Sequence, residues 1–207
     1  PWPGPLAGLR VLDLTRVLAG PLATQFLGDL GAEIIKVEPP GGDDTRAFPP
    51  HIGGESHYFV GLNRGKRSMV LDLRKPEGAS ILRRLASASD VLVENFRPGV
   101  MDRLGLGAAS LMEANPRLIW CAISGFGQDG PLRDEPSFDI VTQALTGVMS
   151  VNGPEGGPPT RIGPPIGDMS GAIFGAISIL AALHERHATG RGRLLDVSLY
   201  DGTMSLL

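Results

Sequence analysis

Leu9-Arg10-Val11-Leu12-Asp13-Leu14 is a short apolar run of the kind that becomes a buried parallel strand. Gly20-Pro21 follows, then residues 22–30 with helical spacing, closed by Gly31. Ala32-Glu33-Ile34-Ile35-Lys36-Val37-Glu38 is again strand-like. A strand, a helix and a second strand within so short a span form one parallel crossover unit, which is right-handed.

Working outward, the alternation continues. Strands are expected at 68–73, 90–94, 118–124 and 194–199, and helices at 76–86, 98–104, 138–148 and 168–186. Pro76 suits the first turn of its helix. The fold class is therefore α/β, a Rossmann-like mostly parallel sheet with helices on both faces. The segments 39–66 and 126–137 read as long irregular loops rich in Gly, Pro and charge, a kind that is usually functional or mobile. In doubly wound sheets a ligand lies beyond the carboxyl ends of the strands. Here that places Thr15-Arg16-Val17, the start of the 39–66 loop, Asn95-Phe96-Arg97-Pro98-Gly99 and Gly125-Phe126-Gly127 around a site.

Composition narrows the function classes. The 207 residues are 42% hydrophobic and 20% charged with a formal net charge of −3. Those values fit a soluble globular protein and lack the basic excess of a broad nucleic-acid surface. The single cysteine, Cys121, lies in an apolar run and reads as a small core residue; a reducing, cytoplasmic setting is expected. No secretory or transit peptide is visible in Pro1-Trp2-Pro3-Gly4-Pro5. The longest apolar stretch, 171–183, has thirteen residues. A membrane span takes about 20, so a buried helix and no membrane association are expected. The chain begins without methionine and ends in what looks like a helix opening at 201–207, which suggests that it is not whole.

Some chemistries lack their motifs. The first strand is not followed by a dinucleotide glycine fingerprint, and no phosphate loop of the Walker type or Cys/His metal cluster occurs. His184 and His187 suit a helix carboxyl end better than a metal. Asn95, Phe96 and Arg97, with Arg103 beyond, offer an amide, a ring and two guanidiniums at a strand end. They could stack an adenine and pair with phosphates, or simply form a charged loop before a helix. Asp168, in Ile166-Gly167-Asp168-Met169-Ser170-Gly171, reads as an N-cap or first-turn residue. Equally, a helix start would keep a carboxylate ionised and offer amides to an oxyanion, with Gly167 and Gly171 admitting a bulky ligand.

Together these segments resemble the class III CoA-transferases, the family of formyl-CoA transferase, carnitine CoA-transferase and the bile-acid-inducible type. The likeness is carried by Leu12-Asp13-Leu14-Thr15-Arg16-Val17-Leu18-Ala19-Gly20-Pro21, the strand ending in Lys36-Val37-Glu38, and Asn63-Arg64-Gly65-Lys66-Arg67-Ser68. It continues through Glu94-Asn95-Phe96-Arg97-Pro98-Gly99, Gly125-Phe126-Gly127-Gln128-Asp129-Gly130-Pro131 and Thr189-Gly190-Arg191-Gly192. The resemblance implies an acyl-CoA donor, a small carboxylic acid acceptor and an acylated aspartate, which falls on Asp168. It implies an aspartyl-acyl anhydride and then an aspartyl-CoA thioester, with no metal.

Coenzyme A contacts of the family map onto Val17, Leu18, Leu71, Asp72, Arg74, Asn95, Phe96, Arg97, Arg103 and the loop ending in Phe138. Pro39 stands where formyl-CoA transferase has an arginine, so Arg74 or Arg97 is expected to supply that phosphate contact. Leu18 replaces a glutamine, which argues against the formyl-CoA/oxalate pair. Small dicarboxylates such as succinate are the expected acceptors, and Arg46 is a candidate partner for a second carboxylate or a solvated loop residue. An α-methylacyl-CoA racemase is the alternative within the fold. The resemblance places Phe138 where that enzyme has its histidine, and a phenyl ring moves no proton. A non-catalytic CoA-binding subunit is the alternative outside catalysis. The likeness further implies that residues 1–207 belong to a large CoA-binding domain followed by a second, smaller one. It implies two chains interlocked as a homodimer, and no activity for 1–207 alone.

Overall fold

A computed structural model describes residues 4–207; the stretch Pro1-Trp2-Pro3, on which the reading of a leader partly fell, lies outside them. Six strands form one sheet: β1 (Arg10–Asp13), β2 (Glu33–Glu38), β5 (Arg67–Val70), β6 (Val91–Glu94), β7 (Ile119–Ser124) and β8 (Leu194–Ser198). Their order is β5-β2-β1-β6-β7-β8 and every pairing is parallel. The chain winds outward from β1 in one direction and then from β6 in the other, so the order reverses between those two strands. That is the switch point at which a doubly wound sheet opens a crevice.

Side chains alternate across the sheet and give it two cores. One face carries Val11, Val91, Val93, Ile119, Cys121 and Ile123 under helices α1 (Ala19–Asp29) and α7 (Ile166–Thr189). The other carries Leu12, Leu92, Trp120 and Ala122 under α3 (Pro76–Ser87), α4 (Val100–Arg103) and α5 (Ala108–Ala114). Gly171 and Gly175 let α7 lie close to the sheet, since a Cβ on either would stand 3.0–3.1 Å from Leu199 or Ile123. α7 is longer than its thirteen-residue apolar stretch suggests. By length and composition alone its 24 residues would cross a membrane, yet half of the most apolar window is buried inside the fold.

Other boundaries move for local reasons. The strand expected at 68–73 stops at Val70 because its partner β2 ends at Glu38. The helix expected at 98–104 begins after Gly99, which is left-handed at φ 76°. α6 (Asp139–Leu145) ends before the left-handed Gly147, and a 3₁₀ turn, Val148–Val151, takes the place of its last turn. α1 starts three residues early, because Pro21 falls in a first turn whose amides have no helical partner. α8 (Leu199–Met204) starts earlier than expected, Ser198 Oγ accepting the Asp201 N–H at 3.1 Å, and closes at Met204.

The segment 39–66 is the largest correction. Instead of an irregular loop it holds a 3₁₀ turn (Asp44–Ala47), a two-residue hairpin of β3 (His51–Ile52) and β4 (Glu55–Ser56), and α2 (His57–Asn63). Ser56 Oγ caps α2 by accepting the Phe59 N–H at 3.1 Å.

Candidate active site

Beneath the first turn of the site lies a network of buried charge. Asp13 and Lys36 interrupt apolar strands and are each no more than 1% exposed. Lys66 Nζ lies 3.0 Å from Asp13 Oδ2 and also donates to Pro21 O, Thr24 Oγ1 and Asn63 Oδ1 at 2.8–3.0 Å. Lys36 Nζ donates to Thr15 O at 2.8 Å and makes an ion pair with Asp43 Oδ2 at 3.0 Å, without hydrogen-bond alignment. Burial works to raise the Asp13 carboxyl, but Lys66, Lys36 and the hydroxyls of Thr15 and Thr24 outweigh it and hold the group below its ordinary range.

This network fixes Thr15-Arg16-Val17. Val17 has φ 67°, a left-handed conformation that a β-branched residue takes only at a cost of roughly 1–3 kcal/mol. Its N–H points to Asp43 Oδ1 at 3.4 Å. Across the switch point, Asn95 clasps the Arg16 backbone, accepting its N–H at 3.0 Å and donating to its carbonyl at 2.8 Å. The Asn95 amide thus joins the two loops.

Asp168 sits in the first turn of α7, at the mouth of that crevice. Asp139, first residue of α6, accepts the Gly167 N–H at 2.8 Å and so tethers the start of α7 to α6. Burial, then the negative charge of Asp139, pushes the Asp168 carboxyl up to about 6. The helix start was expected to favour the ionised form; desolvation and a like charge win instead. The cleft glycines are also corrected. A Cβ on Gly167 would meet Asp139 and Thr142, and one on Gly171 would meet Leu199 and Ile123, so both make room for protein rather than ligand. Tyr58 on α2, which the sequence reading missed, is raised by burial and then by the charges of Asp168, Asp139 and Asp43. No local signal marks it, because the sequence around it predicts loop rather than helix.

Two cavities meet here. One of about 390 Å³ is lined by Arg16, Val17, Leu18, Asn95, Phe96, Arg97, Arg133, Phe138 and Asp168, among others. The other, about 410 Å³, is lined by Leu71, Asp72, Arg74, Pro39 and Glu38 among others. Arg16, Asp44 and Phe96 belong to both walls. Nine of the ten expected coenzyme A positions therefore line one cavity or the other. The exception is Arg103, which lines neither and lies against Gly99 instead. Phe138 is 74% exposed at the rim.

The charged side chains differ in availability. Arg74 is paired with Asp72 at 2.9 Å. Arg97 makes no ion pair among the described residues, and Arg16 and Arg133 make only long ones, 3.7 and 3.5 Å. Arg46, a candidate for a second carboxylate, is already taken: it grips Glu38 through two bonds of 2.7 Å and lies 3.8 Å above the Phe59 ring. Burial would raise Glu38, but the bonds from Arg46, Ser68 and the Asp43 N–H bring it down to about 2. Among the described residues no group of His, Cys, Asp and Glu is arranged to hold a metal.

The sequence model of the family described as CoA-transferase family III matches residues 6–207. Among curated proteins, the acetyl-CoA:oxalate CoA-transferase of Acetobacter aceti is 50% identical over 99% of this chain and 53% of its own length. The human succinyl-CoA:glutarate CoA-transferase is 44% identical over 98% of this chain and 47% of its own length. A crystal structure described as a CAIB/BAIF family protein from Brucella suis superposes with a TM-score of 0.96 at 41% identity, covering 100% of this chain and 56% of that one. The chain thus spans about half the length of the curated relatives it matches.

Proposed function

The chain belongs to CoA-transferase family III, and from that membership we propose that the protein transfers coenzyme A from an acyl-CoA donor to a small carboxylic acid. The observation that carries the reading is Asp168: a carboxyl group titrating near 6, at a helix start, in a cleft walled by the expected coenzyme A contacts.

In this reading the Asp168 carboxylate attacks the thioester carbonyl, forming an anhydride bond and releasing the CoA thiolate. The thiolate attacks the Asp168 carbonyl and expels the donor acid, leaving an aspartyl-CoA thioester. The acceptor carboxylate attacks that thioester, forming a second anhydride with Asp168 and releasing the thiolate. The thiolate then attacks the acceptor's carbonyl to give the new acyl-CoA and free the Asp168 carboxylate. The carboxyl is raised enough to be a better nucleophile than an ordinary aspartate and is still mostly ionised at neutral pH. Phe96, which walls both cavities, gives the cleft apolar surface that helps to keep water from the anhydride. Arg97, without an acidic partner among the described residues, is better placed than Arg74 to meet a phosphate.

The relatives' names, in which oxalate and glutarate are dicarboxylates, support a small dicarboxylate as the acceptor. Mass spectrometry of the full-length protein tests the reading. It would be incubated with acetyl-CoA or succinyl-CoA and with oxalate, succinate or glutarate in turn. New acyl-CoA products are expected. No exchange, but deuterium from heavy water at the α-carbon of a branched acyl-CoA, would sink the transferase reading in favour of racemisation. An interlocked homodimer in the cytoplasm belongs to the same proposal, supported by the family resemblance.

The pH dependence has a definite sign. Only ionised Asp168 attacks, so kcat/KM is expected to fall about tenfold per pH unit below about 6 and to level off above it. Asp139→Asn keeps an oxygen for the Gly167 N–H and removes the like charge, so the acidic limb moves to lower pH. A limb that stays put in this variant would show that Asp139 does not tune Asp168.

A further inference from the structure

Glu94 ends β6 at the switch point and is only 5% exposed. In register it faces Ala122 on β7, which in turn faces Asp196 on β8, so both carboxylates occupy one side of the sheet. Asp102 on α4 adds its negative charge, and the buried Cys121 thiol on β7 also feels Glu94. No Lys or Arg among the described residues pairs with Glu94. Arg103, on the same short helix as Asp102, lies against Gly99 instead. The firm contact Glu94 makes is with the cleft: Oε2 accepts the Phe96 N–H at 2.8 Å.

We propose that Glu94 is a positioning residue for the coenzyme A cleft, its carboxyl group fixing the turn that makes the Phe96 ring a wall of both cavities. The inference rests on reading the cleft as a coenzyme A site. A buried acid with two acidic neighbours and no cation is disfavoured in its ionised form. Burial first, then Asp102 and Asp196, push it up to about 7, against the Phe96 N–H and the Trp120 indole, which favour the ionised form. Because the folded turn holds this proton more tightly than an unfolded chain does, the turn is most stable at low pH. That stability is lost as pH rises through about 7. Ionisation strengthens the Phe96 bond but draws water to the buried carboxylate, and this second, larger effect loosens the wall.

Two measurements on the full-length protein test this. Selective ¹⁵N labelling of phenylalanine follows the Phe96 amide from pH 5.5 to 8.5, and calorimetry measures binding of CoA over the same range. The wild-type amide is expected to titrate with a midpoint near 7 and to be flat in Glu94→Gln. Wild-type affinity weakens above that pH. Glu94→Gln, neutral at every pH and still able to accept from Phe96, binds CoA within about twofold of the low-pH wild type throughout. Glu94→Ala, which leaves the Phe96 N–H unpaired, binds about tenfold more weakly at all pH values. A flat wild-type amide overturns the assignment, as does a Gln variant as weak as the Ala variant or an Ala variant that binds normally. A wild type that binds no CoA overturns the reading of the cleft, and the amide titration still decides the state of Glu94.

Discussion

Asp168→Ala in the full-length protein is expected to lower CoA transfer by about 10³-fold or more, since the variant has lost the atom that carries the acyl group. Mass spectrometry of acyl-CoA products gives the rate, and trapping of a protein-bound acyl or CoA adduct reports the intermediate, which should vanish. The variant should nevertheless fold as well as the wild type. Among the described residues the Asp168 side chain makes no ion pair. Its pKa is raised in the fold, so its ionised form costs stability as pH climbs from its ordinary value through about 6. Removing it leaves a melting temperature at neutral pH equal to or above that of the wild type. A variant that keeps more than a tenth of the rate would move the covalent chemistry off Asp168. A variant that melts early would mean that the residue is part of the scaffold after all.

Lys66→Met is expected to have the largest effect on stability. Its ammonium satisfies Asp13 and three further oxygens inside the fold, at 2.8–3.0 Å. Removing one partner of a buried pair leaves the other charge stranded and costs about 3–5 kcal/mol. For a domain of this size each kcal/mol lowers the melting temperature by roughly 2–4 °C, and differential scanning calorimetry reads the shift. Adding Asp13→Asn to Lys66→Met removes the stranded charge and should recover part of the loss. The pH dependence has the opposite sign to that of Asp168. The Asp13 pKa is depressed, so its pairing contributes stability above the ordinary carboxylate range, and this is lost as the pH falls. The gap between variant and wild type therefore narrows in acid. A Lys66→Met protein that melts within a degree of the wild type would mean that Asp13 is neutral in the fold or reached by water.

Much of the candidate site was legible because its pieces are local in sequence. Asn95, Phe96 and Arg97 lie just past the end of one strand, and Thr15-Arg16-Val17 past the end of another, so a strand reading already placed both at one edge of the sheet. Asp168 stood out as the acidic residue in the first turn of an apolar helix. What could not be read was the use each polar group is put to. Arg46 was a candidate for substrate, but Glu38, eight residues earlier, takes both of its arms. Asn95 was a candidate ligand group, and its amide also spans 79 residues to hold Arg16.

Strand-to-helix alternation and a closing glycine such as Gly31 act over a few residues, so the sequence alone determined the α/β class and the loops that meet at the crevice. Tertiary structure decided which charges are neutralised and which are left. Lys66 reaches Asp13 across 53 residues, Asp139 reaches the Gly167 N–H across 28, and Glu94 is left among carboxylates by the register of β6, β7 and β8. The physical reason is range. Backbone conformation is biased by neighbours along the chain, whereas desolvation and Coulomb energy depend on neighbours in space, which exist only once the sheet has closed.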